Sequence, residues 1–177
     1  MNLYLHIPFC ASRCSYCDFY TQTGGKQRTY FLSALLRELD LRRDELPEGE
    51  MIEHIYLGGG TPSLLTIEEL RQIFSLISEL YASSYEGEIT IECNPDDVTE
   101  AYAEGLASLP INRVSMGVQS FDADDLTFLN RRHSAQQVHS AIHALRQCDI
   151  TNLSLDLIYG LPRQTEAKWR ANIMEFL

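Results

Sequence analysis

The sequence of 177 residues lacks the features of membrane-spanning and exported chains. No apolar run reaches the roughly 18 residues that a transmembrane helix needs. The start, Met1-Asn2-Leu3-Tyr4, has no basic region followed by an apolar stretch, so it carries no recognisable secretory signal. Internal repeats and low-complexity segments are absent as well. These absences predict a cytoplasmic globular protein, and the length suits a single domain.

Basic residues are also scarce in this chain. Lys and Arg together number 14 against 25 Asp and Glu, which gives a net charge of -11. Nonspecific binding to DNA, RNA or anionic membranes depends on Lys and Arg. The composition therefore argues against a nucleic-acid partner, although it leaves room for a small basic patch.

The cysteines do not suggest a disulfide framework. Their number is odd, at five, and no export signal accompanies them. Cys10, Cys14 and Cys17 fall within eight residues of one another. In a reducing compartment, such clustering indicates a metal site.

The spacing CxxxCxxC fits an iron–sulfur cluster better than zinc. Thiolates suit both metals. Three ligands in one tight loop can bind three irons of a 4Fe-4S cluster and leave the fourth iron open to an exchangeable ligand. Structural zinc needs a fourth ligand, and His6 is the candidate, but a residue in the preceding strand is expected to point along a wall of the fold. Three buried cysteines without metal are the remaining alternative.

Short apolar segments alternate with amphipathic segments along the chain. The pattern predicts capping boxes at Thr66 with Glu69 and at Ser134 with Gln137. The predicted strands span residues 3–7, 54–57, 88–92, 113–118 and 153–158. The predicted helices span residues 29–46, 67–81, 99–109, 122–129 and 134–148, and a last one begins near residue 165.

This alternation predicts an α/β fold with a parallel sheet, either doubly wound or closed toward a barrel. In both architectures the active site lies at the carboxyl ends of the strands. The unusual residues of this chain follow its strands, among them the cysteines, the triple glycine 58–60 and Glu92. No strand follows the last helix, so we expect the chain to be a piece of a longer protein.

The segment Tyr4-Leu5-His6-Ile7-Pro8-Phe9-Cys10, with the CxxxCxxC motif, resembles the radical S-adenosylmethionine (SAM) superfamily. More narrowly, it is similar to the oxygen-independent coproporphyrinogen III oxidase family and its haem-chaperone branch. Further motifs agree in order along nearly the whole chain: Gly58-Gly59-Gly60-Thr61-Pro62, Glu92-Cys93-Asn94-Pro95, Ser115-Met116-Gly117-Val118-Gln119-Ser120-Phe121, Asn130-Arg131-Arg132-His133 and Asp156-Leu157-Ile158-Tyr159-Gly160-Leu161-Pro162.

For the fold, the resemblance implies a partial, TIM-like radical SAM barrel with about five of six βα units present. Residues 1–177 would form the radical SAM core domain, and the remainder of the barrel and a carboxyl-terminal domain would lie outside this sequence.

For the chemistry, the resemblance implies a 4Fe-4S cluster on Cys10, Cys14 and Cys17. The amino and carboxylate groups of SAM would chelate the open iron, and one electron from the cluster would cleave SAM to a 5′-deoxyadenosyl radical. The cofactor then carries the chemistry and the protein positions it, so no side chain is expected to be catalytic.

The resemblance also implies a set of SAM-binding residues. Backbone at Gly59 and Gly60 can approach the cofactor closely because these residues lack side chains. Glu92 could bind the ribose hydroxyls or the ammonium group, and Arg131 offers a fixed fork for the carboxylate. The full set is Tyr4, Tyr16, Gly59, Gly60, Thr61, Glu92, Gln119, Arg131 and Asp156. Taken singly, these residues have plainer explanations, such as a tight turn, an exposed acid, a solvated charge or a core tyrosine.

Other polar residues allow two interpretations. Asp156 lies in an apolar run, and a buried acid is costly without a partner, which favours a function for it. His139 and His143 stand four residues apart and could bind a metal or a haem iron, although a solvated helix face fits them better. Cys93 and Cys148 are expected to pack rather than to bind metal.

The residues after Cys17 distinguish the two branches of the family. Decarboxylating oxidases extend the motif to CxxxCxxCxC, whereas here Cys17 precedes Asp18-Phe19-Tyr20, which is typical of the haem-chaperone branch. This implies a protein that binds haem and passes it to an acceptor such as a membrane respiratory enzyme, with flavodoxin or ferredoxin as electron donor. The alternatives are a coproporphyrinogen III oxidase, which removes two propionate carboxyls as carbon dioxide, and another radical enzyme on the same scaffold.

Overall fold

Five parallel strands form the central sheet of the computed structural model, which describes residues 1–23, 27–47, 50–81 and 85–177. In order across the sheet, they are β1 (Asn2–Ile7), β4 (His54–Gly59), β5 (Ile89–Cys93), β6 (Arg113–Gln119) and β7 (Asn152–Leu157). Two short strands, β2 (Phe9–Cys10) and β3 (Gln22–Thr23), pair with each other in a separate ladder. The α/β fold with a parallel sheet is therefore confirmed. The sheet is open, with β1 and β7 at its edges, as a partial barrel requires.

Helices lie between successive strands of the sheet, and a last helix follows β7. They are α1 (Arg28–Leu41), α2 (Ile67–Leu80), α3 (Glu100–Ala107), α4 (Ala123–Phe128), α5 (Ala135–Gln147) and α6 (Glu166–Phe176). Both predicted capping boxes are confirmed, at Thr66 and at Ser134. Helix α1 ends earlier than predicted and gives way to a 3-10 turn at Arg43–Glu45. No helix among the described residues combines the length and apolar composition needed to cross a bilayer.

The two faces of the sheet differ in polarity because strand side chains alternate between faces. On one face, Ile91, Val114 and Met116 are fully buried, and they belong to the core that the helices cover. On the other face, the register places Glu92 beside Ser115 and Ser115 beside Ser154. A polar wall therefore lies along this second face of the sheet and reaches the carboxyl ends of the strands.

Candidate functional site

The turn after β4 brings two backbone segments into close contact. Gly60 donates its N–H to the carbonyl of Ile7 at 2.8 Å. A Cβ atom at Gly60 would lie 2.7 Å from the carbonyl oxygen of Phe9 and 3.0 Å from that of Ile7. Gly59 has a φ of 118°, which side chains rarely allow. Glycine is therefore required where β4 passes the segment that leads into Cys10.

The three clustered cysteines lie at the start of this loop region. Cys10 ends β2, Cys14 and Cys17 follow it, and all five cysteines of the chain are free thiols. Thr61 Oγ1 donates to Cys10 Sγ at 3.4 Å, and Arg131 Nη1 donates to Cys14 Sγ at 3.4 Å. Burial raises the pKa of Cys10, and the neighbouring sulfurs raise it further against the opposing effect of Thr61. Two polar side chains from other elements thus already face the sulfur atoms.

The arrangement of ligands does not suit a single metal ion. Within the described ranges, no group of three or more His, Cys, Asp or Glu side chains could hold one ion. His6, the candidate fourth zinc ligand, is engaged elsewhere: its Nδ1 is 3.0 Å from Tyr4 Oη and its Nε2 is 3.2 Å from the carbonyl of Tyr20. A 4Fe-4S cluster instead takes one thiolate on each of three irons, which three separated cysteines can provide.

Glu92 presents its carboxylate at the carboxyl end of β5. Tyr56 Oη donates to Oε1 at 2.7 Å, and the Gly59 N–H donates to Oε2 at 3.1 Å. Burial raises the pKa of Tyr56, as does the adjacent Glu92, so the phenol keeps the proton that it donates. Tyr4 stacks on Tyr56 with ring centroids 6.0 Å apart. Since each carboxylate oxygen has a second lone pair, the half-buried Glu92 can still accept hydrogen bonds from a ligand.

Arg131 reaches into the same region from the segment after α4. Its Nη2 donates to Asn94 Oδ1 at 2.7 Å and to the carbonyl of Gly117 at 2.5 Å. Its Nε is buried and has no hydrogen-bond partner among the residues that the structure describes. A buried donor without a partner costs free energy. A carboxylate bound beside Arg131 would satisfy it.

Most of the predicted site residues meet in one pocket at the carboxyl ends of the strands. Its lining includes Cys10, Cys14, Tyr16, Cys17, Gly59, Gly60, Thr61, Glu92, Gln119, Arg131 and Asp156. Burial raises the pKa of Tyr16 to about 12, so its phenol is protonated at neutral pH. Tyr4 does not line this pocket; it lies 56% exposed beside a second cavity between β1 and α1, and is therefore not a core tyrosine.

The prediction that Asp156 is a buried acid is wrong. Its strand β7 is an edge of the sheet, and the side chain of Asp156 is exposed. The apolar run suggested a strand covered on both faces, whereas the face that carries Asp156 borders the open pocket. Asp156 thus stays a candidate ligand-binding residue by position and not by burial.

The remaining polar residues also have clear positions. His139 Nε2 is 2.7 Å from Glu175 Oε1 of α6, and its ring stacks on Phe121. Cys93 is buried in the core, and Cys148 is half-buried at the end of α5.

The sequence did not single out Tyr56 or Asn94 as site residues. Tyr56 is hydrogen-bonded to Glu92, and Asn94 is hydrogen-bonded to Arg131. The motif Glu92-Cys93-Asn94-Pro95 contained a signal for Asn94, whereas Tyr56 is an ordinary strand residue in the sequence.

Comparison with known proteins identifies one family model that matches this chain. The model describes the radical SAM superfamily and matches residues 4–177.

Curated relatives carry two different names. The chain is 36% identical to a protein named heme chaperone HemW from Synechocystis sp., over 96% of this chain and 42% of that protein. It is 30% identical to an oxygen-independent coproporphyrinogen III oxidase from Paracoccus denitrificans, over 100% of this chain and 40% of that protein. The chain therefore spans about two fifths of the length of these relatives.

The fold also matches a solved structure. The coproporphyrinogen III oxidase HemN from Escherichia coli, described as a radical SAM enzyme, superposes with a TM-score of 0.91 and 29% identity. The match covers 99% of this chain and 41% of that chain.

Proposed function

The chain belongs to the radical SAM superfamily, and on that basis we propose that its protein is a haem chaperone with a 4Fe-4S cluster and a bound SAM. The family implies the cluster and SAM. Haem is the proposed cargo, and the proposed recipient is a haem-dependent acceptor such as a membrane respiratory enzyme. Flavodoxin or ferredoxin is the proposed electron donor. Residues 1–177 are proposed to form the radical SAM core domain.

The residues of the pocket fit both cofactors. Cys10, Cys14 and Cys17 would each bind one iron, and Thr61 and Arg131 already direct hydrogen-bond donors at two of the three sulfurs. When bound, the cluster supplies the electron that cleaves SAM. The Nε of Arg131, which has no hydrogen-bond partner among the described residues, suits the SAM carboxylate. The remaining lone pairs of Glu92 suit its ammonium group or ribose hydroxyls.

The choice of chaperone over oxidase depends on one observation, the residue two positions after Cys17. Phe19 occupies this place, where the oxidase motif has a fourth cysteine. Its side chain is 69% exposed and lines the pocket. A phenylalanine cannot supply a thiolate, and an exposed aromatic ring suits contact with an apolar macrocycle. Relatives named heme chaperone HemW are 34–36% identical to this chain over nearly its whole length.

A coproporphyrinogen III oxidase is the second candidate. It is supported by the close superposition on HemN, with a TM-score of 0.91, and by the oxidases among the relatives. Both candidates require the same cluster and the same SAM site, so they differ in the tetrapyrrole that they accept and in turnover.

The functional test uses the purified full-length protein with a reconstituted cluster. We expect it to bind haem at close to one equivalent by optical titration. Given coproporphyrinogen III, SAM and a reductant, we expect no protoporphyrinogen beyond a single turnover. Multiple turnovers would establish the oxidase instead, and absence of haem binding would exclude the chaperone.

The cluster assignment has its own test. Cys10→Ala, Cys14→Ala and Cys17→Ala should each abolish the brown colour and the bound iron, because three thiolates are needed to hold the cubane. Cys148→Ala is the matched control and should keep both, since Cys148 lies at the end of α5. Iron retained in all three cluster variants, or zinc found by elemental analysis, would overturn the assignment.

A further inference from the structure

His133 is a buried histidine that the proposed cofactor site does not use. It lies between α4 and α5, with 4% of its surface exposed. Its Nε2 is 3.0 Å from the carbonyl oxygen of Val118 on β6. A carbonyl oxygen only accepts hydrogen bonds, so Nε2 must carry a hydrogen, and in the neutral ring Nδ1 is then the bare nitrogen. That Nδ1 is buried and has no partner within the described part of the chain.

The imidazole ring of His133 is uncharged at neutral pH. Burial, together with the charge of Arg131, lowers the pKa of His133 to about 4, against the opposing effect of the bond to Val118. Above about pH 5 the ring is therefore a constant donor at Nε2 and does not act as a switch.

The carbonyl that His133 holds belongs to an irregular part of β6. Gly117 pairs with Asp156 and Gln119 pairs with Leu157, so Val118 bulges out of the ladder between them. The same carbonyl of Val118 also accepts the N–H of Ser120 at 2.9 Å. This closes a three-residue γ-turn centred on Gln119, whose φ is 69°.

Gln119 is strained in this conformation. A γ-turn with positive φ is rare, and a non-glycine residue with positive φ persists only where its surroundings hold it. The turn directs the side chain of Gln119 back over Gly117, where a Cβ atom would lie 2.9 Å from Gln119 Nε2. This placement puts the amide in the wall of the cofactor pocket, close to Arg131.

We infer that His133 is a positioning residue for the SAM site: its Nε2–H holds the Val118 carbonyl and thereby keeps Gln119 in the strained turn that presents its amide to the cofactor. The inference depends on the proposed SAM site and adds a residue that acts on it only through β6. His133 contacts no cofactor itself.

The segment that carries His133 also contacts the strand just before the bulge and the cysteine loop. Arg131 holds the carbonyl of Gly117, one residue before the bulge. Asn130 donates its side-chain amide to the carbonyl of Arg13 in the cysteine loop at 2.8 Å. One short segment therefore ties the bulged strand to the loop of the proposed cluster.

The test compares variants that keep or remove the hydrogen-bond donor at His133. It uses the full-length protein with a reconstituted cluster, and the SAM dissociation constant is measured by anaerobic equilibrium dialysis. His133→Leu removes the donor and should raise the constant by about three- to tenfold, the range that one lost hydrogen bond gives. His133→Gln places an amide nitrogen near the original Nε2 and should stay within about twofold of the parent. If His133→Leu fails to fold, His133→Asn replaces it, because its amide is too short to reach Val118.

A double-mutant cycle with Gln119→Ala separates positioning from a general structural role. In that background, His133→Leu should weaken SAM binding no further, since the side chain that it positions is gone. An equal loss in both backgrounds, or no loss in either, would overturn the inference. Failure of the parent protein itself to bind SAM would instead overturn the proposed function. Iron content, measured for each variant, reports whether the cysteine loop is intact.

Discussion

At the scale of single residues, the geometry of the pocket depends on groups that fix its lining side chains by hydrogen bonds. Glu92 accepts from Tyr56 at one oxygen and from the Gly59 N–H at the other, so its carboxylate is fixed before any ligand arrives. Fixed polar groups bind better than free ones because their ordering cost is already met. Tyr56 is therefore expected to affect ligand binding without touching the ligand.

Replacing Tyr56 by Phe tests this expectation. The change removes only the hydroxyl that donates to Glu92 Oε1 at 2.7 Å. We expect the SAM dissociation constant of the cluster-loaded protein to rise about three- to tenfold, and the free energy of unfolding to fall by about 1 kcal/mol. Calorimetric titration and urea unfolding measure the two effects separately.

Tyr102→Phe is the matched control for this variant. Tyr102 on α3 also loses one hydrogen bond, to the carbonyl of Leu65 at 3.2 Å, but it does not line the pocket. It should lose a similar amount of stability and keep its affinity for SAM. Unchanged affinity in Tyr56→Phe, together with weak binding in Glu92→Gln, would show that Glu92 acts without help from Tyr56.

At the scale of elements, the end of β4 sets the shape of the pocket floor. Gly60→Ala would force a Cβ atom against backbone oxygens of Ile7 and Phe9, which cannot rotate away as a side chain can. The segment leading into Cys10 must then shift. We expect destabilisation by about 1–3 kcal/mol, as for an overpacked core, and a loss of most cluster iron.

Gly160→Ala is the control that distinguishes the steric clash at Gly60 from the backbone strain of replacing any glycine with positive φ. Gly160 has a φ of 77°, but among the described residues no heavy atom beyond its own chain neighbours lies within 4 Å of the position that a Cβ would take. Its replacement should cost about 1–2 kcal/mol of backbone strain and leave the cluster iron in place. Equal iron contents in the two alanine variants would show that the close approach at Gly60 does not position Cys10.

The elements also show which features the sequence can predict. The capping boxes at Thr66 and Ser134 are local, because residues three positions apart satisfy one another, and both are predicted correctly. The bulge at Val118 is not predictable from local sequence, because it forms where β6 pairs with β7 and where the Val118 carbonyl contacts His133, which is 15 residues away. The β2–β3 ladder is missed for the same reason, since each strand has only two residues and needs the other.

At the scale of the whole molecule, the parallel topology of the sheet brings the residues of the site together. The motifs that carry it are separated by tens of residues, yet the carboxyl ends of parallel strands meet at one rim of the sheet. This explains why the residues following β1, β4, β5 and β6 line a single pocket. Burial is less predictable than position, as Asp156 shows, because it depends on what covers each edge of the sheet.

The β7 edge leads to a prediction about the 177-residue chain on its own. Leu153, Leu155 and Leu157 are only half-buried there, and α6 leaves Met174 67% exposed and Phe176 42% exposed. Unpaired strand edges with neighbouring apolar surface promote association. We therefore expect concentration-dependent oligomers in sedimentation velocity and binding of a hydrophobic dye.

A charged variant of α6 tests whether this surface is responsible. The double change Met174→Glu with Phe176→Glu places two carboxylates on exposed positions and should shift the chain toward monomer without lowering its melting temperature by more than a few degrees. The only buried residue of α6, Asn172, is left intact; it accepts from the Phe121 N–H at 2.8 Å and donates to Ser120 Oγ at 3.1 Å, so it keeps the helix attached. A parent chain that stays monomeric at all concentrations and melts in one sharp transition would show that the β7 edge and α6 do not drive association.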